Sequence, residues 1–397
     1  MRLLKFFGVF LATAVLIFGF VLGWNWNSFT IFLENRESLM EGSEWVPKSG
    51  SLRGLSEFMG ENPANASVAS VVIQNPDSSI FFEEHRRRVM GTTANLFILI
   101  GYAIEINNGN ISGEELLDTE DIHRYKLTGI EESLHRETFR TARQRGWLIN
   151  ENITLNNALQ LLAEYNDFSI ADYLWWKLGP SYWDHLPSLL NLSETDMPLP
   201  YSGLYLAISP GIQDASFREI EEKWQHADPA EWRDLVIQTS SIYINQSTHR
   251  TEIQQYLKRN RLGNSFIEER DGLNLFPKTT AAEMVMLLGQ MIRGELISEE
   301  VSRFVMDCMR WPVESQRGIE RDFSDYGALY DNRMGLMNGI DFGTSAYTGH
   351  TTVQALFLDN LPIGFWFHAS GGHMHQDFMQ RLIYDPALIQ QMKQVIK

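Results

Sequence analysis

Apolar residues fall along this chain in three regimes, and each predicts a different kind of element. Phe6 to Gly23 is an uncharged, almost wholly apolar run preceded by Arg2 and Lys5. As a helix it is long enough to cross about 30 Å of hydrocarbon. Trp24 and Trp26 follow it, where a membrane interface would hold them. Ala66 to Ile73 and Ser79 to Glu83 read as strands on either side of the turn Asn75-Pro76-Asp77. Met90 to Glu105 is apolar on nearly every side and closes on Asn107-Asn108-Gly109, which predicts a buried core helix rather than a second span. Helical spacing dominates to about residue 300, notably over 154–178 and 279–292, and strand character returns at Thr351 to Leu358 and Pro362 to His368.

Strands near both ends with helices between them predict an α/β (α+β) domain: an antiparallel sheet assembled from the two termini plus an all-helical half, not a doubly wound sheet. The expected organisation is a signal-anchor over 1–24, a polar juxtamembrane stalk over 25–60, and a domain over 61–397. Within the domain, 210–275 carries amphipathic segments such as 217–236, punctuated by Pro229, and predicts a helical insertion. Trp224, Trp232 and Tyr243 are expected under it as core or as partner contacts.

Composition narrows the functional classes. Hydrophobic residues make up 44% of the 397, enough for a full core. A net charge of −17 argues against nucleic acid as a partner, because a phosphate backbone would be repelled. The single cysteine, Cys308, excludes an internal disulfide and a thiolate-rich zinc site. Arg2 and Lys5 stay on the cytoplasmic side, so the expected location is the cytoplasmic (inner) membrane as a single-pass protein. The main domain then lies on the periplasmic side; cleavage after Gly23 would make it secreted instead.

There is no phosphate-binding glycine loop, no dinucleotide fingerprint, no H-E-x-x-H and no G-x-S-x-G. His368, His373 and His375 read as a polar loop between the last strand and the last helix, and Asp118, Glu120 and Asp121 as a solvated face. Three other segments carry chemistry by their order: Val89 to Asn95 opening the buried helix, Glu164 to Leu174 in the helical half, and Ala346 to Thr351 at a strand start.

On these segments and the helical sequence around them, the chain resembles the class A β-lactamase and penicillin-binding protein superfamily of serine hydrolases, whose corresponding motifs are S-x-x-K, S-D-N and K-T-G. The resemblance runs over about 65–395, apart from 210–275. It implies that Thr92 stands at the nucleophilic serine and Asn95 at the activating lysine. It places Asn166 at the serine of the second motif, Asp167 at its acid and Phe168 at its asparagine. It places Tyr347 at the lysine of the third motif, with Thr348 and Gly349 matching. Glu194 is the sole nearby candidate for the deacylating glutamate.

An amide cannot accept the proton that the lysine would take. Changing several members of one catalytic unit removes most of its effect. The resemblance therefore implies a catalytically degenerate site without cofactor or metal. The expected protein binds or assembles at the cell envelope, with peptidoglycan or an envelope protein as partner; the alternative is a divergent hydrolase acting on an envelope peptide or ester. If the alignment holds, Thr92 and Tyr347 lie within roughly 8 Å of each other across one nearly neutral cleft.

Overall fold

The computed structural model describes residues 33, 35–310 and 323–396. The signal-anchor expected over 1–24 lies outside them, as does 25–32 of the stalk. Among the described residues no helix is long and apolar enough to cross a membrane.

The elements that build the site follow in chain order: helix α1 (Leu52–Glu61), strands β1 (Ala66–Val72) and β2 (Ile80–Phe82), then helices α2 (Asn95–Asn107), α3 (Glu132–Gln144), α4 (Leu155–Tyr165), α5 (Phe168–Leu178), α6 (Tyr201–Ala207), α7 (Pro229–Asn245), α8 (Ala281–Ile292) and α9 (Glu299–Met309). Strands β3 (Phe323–Asp331), β4 (Met337–Ser345) and β5 (Thr351–Leu358) come next, followed by helices α10 (Met374–Tyr384) and α11 (Pro386–Val395). The main sheet is antiparallel in the order β2-β1-β5-β4-β3, so strands from the two ends of the domain meet where Ala69 pairs with Ala355.

Alternation along the strands divides the interior in two. Ala69, Ile340, Phe342, Val353 and Phe357 face the helical half, where α2 is buried on every side from Asn95 to Ile104. Val68, Met337, Leu356 and Leu358 face α1, α10 and α11. Strands at 66–72 and 351–358 and the central helix follow the expected positions.

Four expectations change. The stretch 35–60 does not stand off as a stalk: α1 lays Leu55, Phe58 and Met59 flat against the sheet, each fully buried, and Phe58 stacks on Phe365 with ring centroids 4.3 Å apart. Residues 362–368 are not a strand, because Pro362 opens a helix over Ile363–Gly371. Pro supplies the φ of a first turn and lacks the N–H a strand would use. His368 and His375 accordingly sit in helices, and His375 is fully buried rather than in a polar loop.

The segment 210–275 is helical as expected, yet it is no detachable insertion. On α7, Val236, Ser240 and Tyr243 are fully buried against α6, and Trp232 is largely buried. Trp224 packs half-buried beside Trp232, with ring centroids 5.4 Å apart. Both sets of side chains belong to the same core as α2.

Phe58→Ala should lower stability in urea titration by about 3–5 kcal/mol, the usual cost of emptying a fully buried aromatic site. A segment acting as a stalk would show no change.

Candidate functional site

The site forms where the first turn of the central helix meets the end of edge strand β3. A 3-10 turn over Gly91–Ala94 leads into α2 and places Thr92 at the helix mouth, only 1% exposed. Helix α4 ends on Asn166, which adopts a left-handed conformation at φ 53°. Asp167 then caps α5 by accepting from the N–H groups of Ser169 (2.9 Å) and Ile170 (3.0 Å). One sharp corner thus delivers Asn166, Asp167 and Phe168 to the same place.

Tyr201, Asn95 and Asn166 form a chain of neutral hydrogen bonds. The Tyr201 phenol donates to Asn95 Oδ1 (3.1 Å), Asn95 Nδ2 donates to Asn166 Oδ1 (3.0 Å), and Asn166 Nδ2 donates to the Tyr330 carbonyl (3.1 Å). Burial holds the Tyr201 phenol well above its ordinary pKa, so it stays a donor. Thr92 Oγ1 donates to the same Tyr330 carbonyl at 3.3 Å. A main-chain carbonyl takes no proton at accessible pH, so these contacts give the Thr92 hydroxyl no base.

The charged members come from the turn after β3. The Asp331 carboxylate accepts from the Thr92 backbone N–H at 2.8 Å through Oδ2, and from Arg333 Nη1 at 2.7 Å through Oδ1. Gly91 makes this approach feasible: at φ +58° a Cβ there would stand 2.1 Å from Asp331 Oδ2. Arg333 also grips both oxygens of Glu131, through Nε and through Nη2 at 2.7 Å, and lies over the Phe168 ring at 4.4 Å. Burial works against the arginine charge, but Glu131 and Asp331 outweigh it and raise its pKa well above the usual value. Phe168 is stacked beneath on Tyr201, with centroids 4.2 Å apart.

Asp167 faces away from Thr92. Its Oδ2 meets His135 Nδ1 at 2.7 Å, and His135 Nε2 meets His123 Nδ1 at 2.8 Å. The two imidazoles and the carboxylate thus form a hydrogen-bonded row, the rings of His123 and His135 lying 4.9 Å apart edge to face. Burial first, and then the His135 neighbour, lower the His123 pKa. Among the described residues no group of three His, Cys, Asp or Glu is placed to hold a metal ion.

A cleft of about 500 Å³ runs along the outer edge of β3, between Tyr330–Arg333 on one side and Glu131, Leu134 and Ala163–Asn166 on the other. Asn166 and Asp331 reach it; Thr92 and Asn95 sit behind them.

Tyr347, Thr348 and Gly349 do not take part. They form the hairpin turn joining β4 to β5, with Tyr347 68% exposed and Gly349 in the left-handed region at φ 69°. Asp331 pairs with Asn338, whereas Ser345 pairs with Phe323 at the far end of the same ladder. At a strand rise of about 3.3 Å per residue the two ends lie about 23 Å apart. Tyr347 and Thr92 therefore sit at opposite ends of the sheet, and the expected approach within 8 Å fails. The Tyr-Thr-Gly stretch is turn chemistry, a glycine supplying positive φ between two strands. The residues that do face Thr92 end β3: Tyr330 by its carbonyl, Asp331, and Arg333 beyond. Sequence reasoning missed them, though Asp-Asn-Arg after an aromatic strand end was a visible cluster of polar groups. Glu194 is also elsewhere, its carbonyl accepting from Arg87 Nε at 3.1 Å and its N–H bound to Glu283.

Behind β3, on the other face of the sheet, the Tyr330 phenol donates to buried Asp341 at 2.9 Å and also pairs with Tyr326. Gln354 Nε2 donates to the other Asp341 oxygen at 2.8 Å, and Ser70 Oγ to Gln354 Oε1 at 3.0 Å. Burial pushes the Asp341 pKa up to about 7 against the lowering effect of these donors.

The sequence matches no family model and no curated protein. Solved structures do match. A β-lactamase from Sphaerobacter thermophilus is 13% identical over 84% of this chain and 95% of its own, with a TM-score of 0.50. A class A β-lactamase from Mycobacterium abscessus is 11% identical over 82% and 98%, TM-score 0.48. A β-lactamase from Xanthomonas campestris is 10% identical over 84% and 99%, TM-score 0.48. At such identity the likeness to the first of these establishes the fold alone: the chain has a β-lactamase-like fold.

Two outcomes follow. Asp331→Ala leaves the Thr92 N–H and part of the Arg333 charge without a buried partner, and should cost about 3–5 kcal/mol in chemical denaturation. Asp341 binds its proton more tightly folded than unfolded, so its contribution is most favourable below about pH 4 and is lost as pH rises to about 7. Stability measured across that window should fall less steeply in Asp341→Asn than in the parent chain.

Proposed function

We propose that this chain is a catalytically silent protein of the β-lactamase-like fold, anchored in the cytoplasmic membrane by residues 1–24. Its domain works on the outer side as a binding or assembly factor, with peptidoglycan or an envelope protein as its partner. The observation that carries the loss of catalysis is the Asp331 carboxylate on the Thr92 N–H at 2.8 Å. Acyl transfer needs donors at the helix mouth left open for negative charge that develops in the transition state. Here the Asp331 carboxylate already takes that donor, and an anion placed beside it would be repelled.

The amides support the same reading. Asn95 and Asn166 spend their hydrogen-bonding groups on Tyr201, on each other and on a backbone carbonyl, so no side chain in this chain of bonds can take the Thr92 proton. Loss of base and of an open oxyanion donor together removes on the order of 10³–10⁶ in rate. The cleft along β3 remains as a surface for recognition without turnover. Its Arg333 charge is matched by Glu131 and Asp331, which disfavours selection of a simple carboxylate ligand.

Full-length protein incubated with a fluorescent penicillin should carry no covalent label on a denaturing gel. A labelled band that disappears in Thr92→Ala would overturn this reading and install the divergent hydrolase in its place.

A further inference from the structure

The described residues start at Leu33, nine residues after Trp24. Fully extended, nine residues reach about 30 Å. A globular chain of this length is roughly 50 Å across. With Trp24 held at a membrane interface, the side of the domain that carries Leu33 is kept toward the bilayer.

Three large apolar side chains are exposed there: Leu33 at 53%, Met40 at 65% and Phe367 at 40%. They share one corner. The Asn35 side chain accepts from the Phe266 N–H at 2.8 Å, and the Phe266 and Phe367 ring centroids lie 5.6 Å apart. Phe367 belongs to the helix Ile363–Gly371, whose Gly364 packs on the turn that carries Met40. The Gly364 N–H donates to the Glu41 carbonyl at 3.0 Å, and a Cβ on Gly364 would stand 2.6 Å from the Leu39 and Glu41 carbonyl oxygens. Phe367, three residues on, lies on the same face of that helix. Scattered exposed apolar residues need no explanation, but a group of them at one corner marks a contact surface.

Charge narrows what the corner meets. Over 35–51 the exposed charges are Arg36 and Lys48 against Glu37 and Glu44, while Glu41 accepts from Arg270 at 2.8 Å. The two signs balance, so this segment has no field that selects anionic lipid, and insertion of apolar side chains is the attraction that remains. We infer that this corner docks on the bilayer, with Leu33, Met40 and Phe367 entering the interfacial layer of a zwitterionic phospholipid; the docking rests on the anchoring proposed for residues 1–24. Trp366 Nε1 donates to the Leu336 carbonyl at 3.1 Å, which ties the docked helix to the turn after Arg333. Docking thereby sets the height of the β3 cleft above the membrane.

The full chain can be placed in phosphatidylcholine vesicles containing a phosphatidylcholine with a photoreactive diazirine near its glycerol. After irradiation and digestion, lipid adducts should appear on the anchor peptide and on the peptides carrying Met40 and Phe367. The peptide carrying Tyr347, exposed at the opposite end of β5, should carry none. Met40→Glu combined with Phe367→Glu should cut the two domain adducts at least about tenfold, the scale of withdrawing two apolar side chains from lipid. The anchor adduct should persist, and the melting temperature should hold because both side chains are exposed. Domain adducts no more frequent than those on the Tyr347 peptide, or unchanged in the double variant, would overturn the docking while the anchor adduct leaves the anchoring standing. Absence of the anchor adduct would overturn both. A chain that is dimeric in detergent and made monomeric by the double variant would assign the corner to a second copy instead.

Discussion

The contact on which the site depends is the ion pair between Arg333 and the carboxylates of Glu131 and Asp331. It joins three separate parts of the domain: the start of α3, the turn after β3 and, through Asp331, the mouth of the central helix. Phe168 under the guanidinium adds the corner between α4 and α5. Taking these charges out of water is costly, and the cost is recovered only while every partner is present. The arrangement is therefore better understood as a device that fixes geometry than as a source of net stability. It holds Asp331 against the Thr92 N–H, and the amide chain of Asn95 and Asn166 is assembled around the same strand end.

The fold brings together residues from distant parts of the chain at this site. Thr92 and Asn95 lie one helical turn apart at the start of a buried helix, and Asn166 closes on them from the helical half. That convergence was implied by the family resemblance; the residues themselves gave the buried helix at its centre, an apolar stretch from Leu96 to Ile104. The paired strands at 66–72 and 351–358 were legible for a related reason, being apolar runs bounded by turn residues. Strands β3 and β4 were not. Gly327, Gly339 and Gly343 interrupt them, and glycine argues against strand on propensity. Their reason is packing: a Cβ on Gly327 would stand 2.5 Å from the Phe342 ring, and one on Gly339 2.5 Å from Tyr330.

Missing β3 had a direct consequence for the site. With the edge strand unseen, the third motif had to be sought on the strand that was visible, and Tyr347-Thr348-Gly349 offered two matching letters. Letters without a register carry little. The order β2-β1-β5-β4-β3 puts β5 between β1 and β4, in the interior of the sheet, and the turn that carries Tyr347 joins β4 to β5 at the end of the sheet away from Thr92. Arg333 was illegible for a different reason: its significance comes from Glu131, two hundred residues earlier in the chain, and no local pattern joins them. The burial of α1 was obscured by the polar residues before it, although Leu52, Leu55, Phe58 and Met59 have the spacing of one helix face.

The internal saturation of the site also bears on how it could change. A dormant enzyme that had lost one group would keep unsatisfied donors and acceptors as a record of the missing partner. Here Thr92 N–H, both Asn95 amide groups, Asn166 and Arg333 all have partners. Placing a lysine at position 95 would set a charge among Tyr201, Asn166 and a backbone carbonyl, with Asp331 already committed to Arg333 and Thr92. Removing Asp331 to open the helix mouth would strip Arg333 of one of its two carboxylates. Each single step toward chemistry is thus opposed by a buried polar group left unmatched. A network closed in this way holds the end of β3, the helix mouth and the start of α3 in one fixed arrangement.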